Sequence, residues 1–292
     1  MMTRSLGAST GIHVSAIGLG GMPLSLAGRP PEVEAKRVIH AALEAGVTFI
    51  DTADVYCVDD DDIGHNERLI AAALVDWPRA AAITVATKGG LVRPGGAWVT
   101  RARPRHLRAA CEASLKALGV DAITLYQLHA PDDDVPLEES VGALGDLRRE
   151  GKIRHIGLSN VNVDEITRAR AIAPIVSVQN RCSVFERQDL REGGVVDYCA
   201  REGLAYIAYS PVGGIRGKVR IADDPTLRRV AAARGASPFQ IALAWLLDQS
   251  PVIIPIPGAT RAASIVDSAA AADLELTGDE RARLDAAFPV EV

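Results

Sequence analysis

Paired cysteines are missing from this chain. Its four, Cys57, Cys111, Cys182 and Cys199, show no C-x-x-C spacing, which suits reduced thiols in a cytoplasmic protein. There is no excess of positive charge either. With 32 Lys and Arg against 37 Asp and Glu the net charge is −5, so nothing points to nucleic acid or to an anionic membrane surface. No apolar run approaches the ~18 residues of a membrane span. The opening Met1–Gly7 segment lacks the apolar stretch of a secretion signal. No linker rich in Pro, Ser or charge divides the chain and no residue-level repeat is visible, so one domain over 1–292 is expected. What remains is an ordinary globular composition, 48% hydrophobic and 24% charged. A chain of ~300 residues can bury roughly 75% of its unfolded surface.

Hydrophobic periodicity then alternates along the chain. Thr3 to Val14 reads as a small hairpin and Ser15 to Leu19 as the first buried strand. Ala35, Val38, Ile39, Ala42 and Leu43 form a helical stripe stopped by Gly46, and Val47 to Ile50 follows as a strand. Helix Asn66–Leu74 leads to strand Ile83–Thr87, and helix Pro104–Leu118, with Pro first and Gly119 after it, leads to strand Asp121–Leu128. Helix Leu137–Glu150 precedes strand Ile153–Leu158, helix Val163–Ala171 precedes strand Ile175–Gln179, and helix Val195–Arg201 precedes strand Ala205–Tyr209. Ser237 and Gln240 make a capping box for a helix to Asp248, followed by strand Val252–Ile256, a helix Arg261–Ala271 and a last helix capped at Thr277. Eight strand–helix units predict an α/β fold, a (β/α)8 TIM barrel with a short N-terminal hairpin and a C-terminal helix, ahead of a doubly wound sheet.

In such a barrel chemistry sits at the C-terminal ends of the strands. Those ends carry Gly20-Gly21, Asp51, Lys88, His129, Ser159-Asn160, Gln179-Asn180, Tyr209-Ser210 and Gly258-Ala259-Thr260, each polar or backbone-permissive. Tyr56 stands on the loop just past Asp51. Each of the four proton-handling groups taken alone could be structural: a rim tyrosine, a buried Lys–Asp pair, a core histidine. Their repetition at one mouth favours chemistry.

Taken in order, Gly46-Val47-Thr48-Phe49-Ile50-Asp51-Thr52-Ala53-Asp54-Val55-Tyr56, Ala86-Thr87-Lys88, Leu128-His129, Gly157-Leu158-Ser159-Asn160, Val178-Gln179-Asn180 and Ala208-Tyr209-Ser210-Pro211 resemble the aldo-keto reductase superfamily from end to end. The resemblance implies hydride transfer between a reduced nicotinamide and a carbonyl carbon. Tyr56 matches the general acid, and Lys88 the ammonium expected to favour the phenolate and ease proton transfer. Asp51 matches the partner of that lysine, and His129 the group that orients the substrate oxygen.

The resemblance also implies a cofactor seat. Gly18-Leu19-Gly20-Gly21-Met22-Pro23 lacks the third glycine of a Rossmann fingerprint, so Gly21 and Met22 are expected in a flat turn beside the nicotinamide. Ser159, Asn160 and Gln179 match donors and acceptors for its carboxamide, with Asp51 nearby and Tyr209 stacked on the ring. A helix cap is the structural alternative for Asn160. Ser210, Val212 and Gly213 would approach the pyrophosphate, with Arg216 and Lys218 either adding charge there or belonging to a solvated loop. At the adenosine end, Gly258, Ala259, Thr260, Arg261, Ser264 and Ser268 depart from the family pattern, with glycine at its usual lysine and Ser264 at a later basic position. Arg261 and Thr260, at a helix N-terminus, favour NADP(H), with NAD(H) as the alternative.

Asp59–Asp62, with His65 and Glu67 nearby, reads as a solvated acidic loop, so no metal is expected. Trp98 is a candidate substrate wall together with Tyr56 and His129, whereas Trp77 and Trp245 read as packing, and Cys57 as a buried hydrophobe. The reading is therefore an NADP-dependent oxidoreductase for a small-molecule carbonyl or alcohol. Its rivals are a cofactor-binding regulatory subunit with little turnover and a barrel hydrolase or isomerase.

Overall fold

A computed structural model describes residues 1–75 and 77–290, with the backbone alone at 215 and 216. Eight parallel strands form one sheet: β1 (Leu19–Gly20), β2 (Phe49–Asp51), β3 (Thr84–Gly89), β4 (Ile123–Leu128), β5 (Ile153–Ser159), β6 (Ile175–Arg181), β7 (Ala205–Tyr209) and β8 (Ile253–Ile256). Each strand pairs with its neighbour in sequence, so the order never reverses as it must in a doubly wound sheet. The first and last strands then meet. Gly18 N donates to Pro255 O at 2.9 Å, Gly20 N to Pro257 O at 3.1 Å, and Gly20 bridges Gly258 in parallel. A Cβ on Gly20 would stand 2.7 Å from Ile256 O, so only glycine permits this seam. These contacts bring the two edge strands of the eight-stranded sheet together.

Eleven helices follow among the described residues: α1 (Glu32–Glu44), α2 (His65–Leu74), α3 (Pro104–Leu118), α4 (Leu137–Arg149), α5 (Val163–Ile172), α6 (Val195–Glu202), α7 (Gly214–Asp223), α8 (Pro225–Arg234), α9 (Pro238–Gln249), α10 (Ala262–Ala270) and α11 (Gly278–Ala287). The apolar stripe of α1 is buried as its spacing requires. Reciprocal capping boxes start α9 at Ser237/Gln240 and α11 at Thr277/Glu280. Outside the barrel α1 packs on α2, α2 on α3, α3 on α4 and α4 on α5, while α10 returns to α1. None of these helices is by itself long and apolar enough to cross a membrane.

An N-terminal hairpin, Thr3–Ser5 against His13–Ser15, covers the N-terminal end of the strands. Leu6 and Val14 enter the same apolar cluster as Phe49, Leu125, Ile207 and Ile254 inside the barrel. The buried Arg4 guanidinium ties the hairpin to the start of β8, donating to Ile253 O at 2.7 Å and Leu247 O at 2.6 Å. With that end plugged, the opposite mouth alone is left for chemistry.

Two expectations change. The first barrel strand is Leu19–Gly20 rather than Ser15–Leu19, because His13–Ser15 pairs back onto the hairpin. The stretch after Tyr209 forms α7 and α8 before α9, α8 being capped by Asp224 and opened by Pro225.

Candidate active site

The strand ends converge as the sequence implied. Asp51 is the last residue of β2, Lys88 the penultimate of β3 and Ser159 the last of β5, while His129 directly follows β4. Parallel register sets Asp51 beside Gly20 and Ala86, Lys88 beside Gln127, and Ser159 beside Gln179, at one level of the barrel. Tyr56 hangs from a turn in which its N–H donates to Ala53 O at 3.2 Å.

Lys88 is fully buried, and its ammonium is saturated. It donates to Asp51 Oδ2 at 2.6 Å, Thr52 O at 2.8 Å and the Tyr56 hydroxyl at 2.8 Å. The other Asp51 oxygen accepts from Gln179 Nε2 at 2.7 Å and from Gln127 Nε2 at 3.3 Å. Asp51, Lys88 and Tyr56 thus form one chain, with the phenol at its cavity end. The His129 ring lies edge-on to Tyr56 at 5.7 Å between centroids, and Trp98 lies edge-on to both at 6.4 Å and 6.5 Å.

Electrostatics fix who carries the protons. Burial, then the Asp51 charge, pushes the Tyr56 phenol well above its ordinary range. Burial thus holds the phenol protonated before reaction, while the 2.8 Å bond keeps the Lys88 ammonium placed to stabilise the phenolate once the proton has left. Burial draws the Lys88 ammonium below the usual lysine range, and Asp51 opposes that shift. Burial, with Lys88 second, holds the His129 imidazole well below the ordinary histidine range. A neutral imidazole beside a protonated phenol can orient an oxygen while the phenol supplies the proton.

These groups face a cavity of about 500 Å³. Asp51, Tyr56, Trp98 and His129 are among the residues lining it, as are Met22, Ser159, Asn160, Gln179 and Tyr209. Ser210, Val212, Lys218, Gly258 and Thr260 line it too. Lys88 lies behind Tyr56, and Gly21 lies under the wall, its N–H donating to Asp51 O at 2.8 Å. Gly213, Ala259, Arg261, Ser264 and Ser268 stand off the lining. Gly213 precedes α7, Ala259 packs into the apolar layer beneath α1 and α10, Arg261 is exposed at the start of α10, and Ser264 and Ser268 follow along that helix. The Arg216 side chain lies outside the described residues.

Asn160 is no helix cap; Asn162 caps α5 through a capping box with Glu165. Asn160 instead takes a left-handed backbone, φ 59°, and donates to His129 O at 2.9 Å while accepting from the Tyr209 hydroxyl at 2.8 Å. Among the described residues Ser210 is the other non-glycine residue with positive φ, at 50°. Both strained residues sit at the cavity, where such strain is concentrated when geometry serves function. Asn180 stabilises the bend by accepting from Val161 N at 3.1 Å and donating to Val161 O at 2.7 Å.

Three polar supports escaped the sequence reading. Gln127 steadies Asp51; its signal was a lone amide inside an apolar strand. Asn66 donates to Gly21 O at 2.9 Å and accepts from Thr52 Oγ1 at 2.6 Å, pinning the glycine turn. Glu67, placed in a helix beside the acidic loop but given no role, is fully buried and accepts from Thr87 Oγ1 at 2.6 Å. Both lie on the inward face of α2 with Ile70 and Ala73, a spacing that could have flagged them. Burial also lifts the Cys57 thiol to about 11, so it stays protonated and unreactive near neutrality.

The family model for the aldo/keto reductase family matches residues 16–288. The chain belongs to that family. Aldo/keto reductases are oxidoreductases acting on small-molecule carbonyls, and several similar solved structures bear the family's name. A thermostable aldo-keto reductase, Tm1743, crystallised with the inhibitor epalrestat, is 31% identical with a TM-score of 0.82, covering 98% of this chain and 99% of that one. Glycerol dehydrogenase AKR11B4 from Gluconobacter oxydans is 27% identical with a TM-score of 0.83, covering 99% and 97%. An aldo/keto reductase from Klebsiella pneumoniae in complex with NADP and acetate is 26% identical with a TM-score of 0.82, covering 100% and 97%.

Proposed function

We propose that this aldo/keto reductase uses NADP(H) to interconvert an aldehyde or ketone with its alcohol, with Tyr56 as general acid for reduction. The observation that carries this reading is the chain Asp51–Lys88–Tyr56, with 2.6 Å and 2.8 Å links, ending at a cavity shared with a neutral His129. Residues suited to a dinucleotide line the same cavity. Amide and hydroxyl groups of Asn160, Gln179 and Ser159 suit a carboxamide, and Tyr209 offers a ring face to stack on. The start of α7 and Lys218 border the cavity where phosphates would sit. NADPH, when bound, supplies the hydride.

The chain's own residues handle position and proton. His129 and Trp98 fix the substrate beside the phenol. Tyr56 gives its proton to the carbonyl oxygen, and Lys88, 2.8 Å away, stabilises the phenolate left behind. Asp51, held by Gln179 and Gln127, keeps the ammonium aimed at that oxygen. A role as a regulatory subunit with little turnover is disfavoured by this complete relay. The decisive experiment is Tyr56→Phe: turnover with a panel of aldehydes and ketones falls roughly 10²–10⁴-fold while cofactor affinity is retained. Unaltered turnover would remove Tyr56 from the mechanism.

A further inference from the structure

One wall of the cavity is held by a buried cation that the proton relay does not use. Arg93 stands between the short strand Leu91–Val92 and the Pro94–Gly96 turn and is 6% exposed. Its guanidinium lies 3.8 Å from the centroid of the Trp98 ring. From that position Nη2 donates to Cys57 O at 3.3 Å and Val58 O at 3.1 Å, the two residues that follow Tyr56. Nε and Nη1 are buried with no hydrogen-bond partner among the described residues. A second tie joins the same two loops, Gly95 N donating to Asp60 Oδ1 at 3.2 Å.

Desolvating a guanidinium is costly, and an arginine that finds only two carbonyls and a ring face is poorly compensated as a purely structural element. Its stacking is strengthened by the same burial. Trp98 is itself 46% exposed and meets Tyr56 and His129 only edge-on, so the stacked cation is what fixes its ring. We propose that Arg93 is a positioning residue for substrate specificity. It locks Trp98 as a rigid wall and ties that wall to the loop carrying Tyr56, so that carbonyls with a bulky or aromatic substituent are held for reduction. This inference rests on the carbonyl-reductase reading above.

The test compares 4-nitrobenzaldehyde with glyceraldehyde as NADPH-dependent substrates for the wild type, Arg93→Met and Arg93→Lys. Arg93→Met lowers the kcat/KM ratio of the aromatic over the small aldehyde about tenfold, through KM more than kcat, the scale of one desolvated cation–π contact. Arg93→Lys keeps charge and stem but lacks the planar fork, and lowers the ratio by about threefold or more. In a Trp98→Ala background, Arg93→Met leaves the ratio where Trp98→Ala alone put it. Acrylamide quenching of Trp98, taken as the difference between each protein and its Trp98→Phe counterpart, rises in both Arg93 variants and needs no turnover. A ratio that stays at the wild-type value in both variants overturns the proposal, as does an undiminished effect without Trp98. If neither aldehyde is reduced the carbonyl-reductase reading fails on its own, and quenching then decides: unchanged quenching sinks the positioning role, and raised quenching upholds it.

Discussion

Replacing Lys88 by methionine keeps the length of the side chain and removes its charge. Three bonds vanish: to Asp51 at 2.6 Å, to Thr52 O at 2.8 Å and to the Tyr56 hydroxyl at 2.8 Å. The Asp51 carboxylate, 1% exposed, is left without a cation. Orphaning one member of a buried ion pair costs about 3–5 kcal/mol. Gln179 and Gln127 still donate to its other oxygen, which sets the expectation at the lower end, about 3 kcal/mol. Neutralising both partners in Lys88→Met/Asp51→Asn removes the orphaned charge, so the double variant recovers at least half of that loss despite carrying one more substitution. Urea unfolding of wild type, single and double variants measures this, compared by midpoint at equal slope. Both variants also lose turnover about 10²–10⁴-fold, since neither can support the phenolate. A single variant within about 1 kcal/mol of wild type, or a double variant no better than the single, would refute the account of a tightly coupled pair.

Three other outcomes are expected. His129 has a folded-state pKa below its unfolded value of about 6.5, so the stability it contributes is present above that pH and is lost as pH falls toward the folded value, at up to about 1.4 kcal/mol per pH unit. His129→Gln therefore makes the melting temperature fall less steeply from about pH 6.5 to 5, and an identical slope would count against a buried neutral imidazole. Gly89→Ala places a Cβ 2.1 Å from the buried Tyr126 hydroxyl and costs about 1–3 kcal/mol in denaturant unfolding. Because that hydroxyl has no partner among the described residues, Tyr126→Phe is near neutral alone and rescues most of the loss; strict additivity would refute the clash. Arg261→Ala lowers the ratio of kcat/KM for NADPH over NADH about tenfold, and an unchanged ratio would remove Arg261 from the phosphate site.

Local rules made most of the barrel legible. The stripe of α1, the proline and glycine that bracket α3 and the capping boxes of α9 and α11 act over three to four residues, within reach of sequence periodicity. α7 escaped because its Gly-Ile-Arg-Gly-Lys opening carries two glycines, poor helix formers, and no side-chain cap. β1 was misplaced because Ser15 could pair forward or back, and the hairpin captured it.

The sequence by itself determined the alternation of strands and helices and the placing of Asp51, Lys88, His129, Ser159 and Gln179 at strand ends, because chain geometry and hydrophobic period are local properties. Tertiary structure alone decided how charge is shared. That Lys88 serves both Asp51 and Tyr56 depends on distances of 2.6 Å and 2.8 Å to residues 37 and 32 positions away along the chain. It also decided that Glu67 is buried, that Asn160 bends rather than caps, and that Arg93 stacks on Trp98. Electrostatic energy varies with separation and burial, and both are set only when distant segments pack.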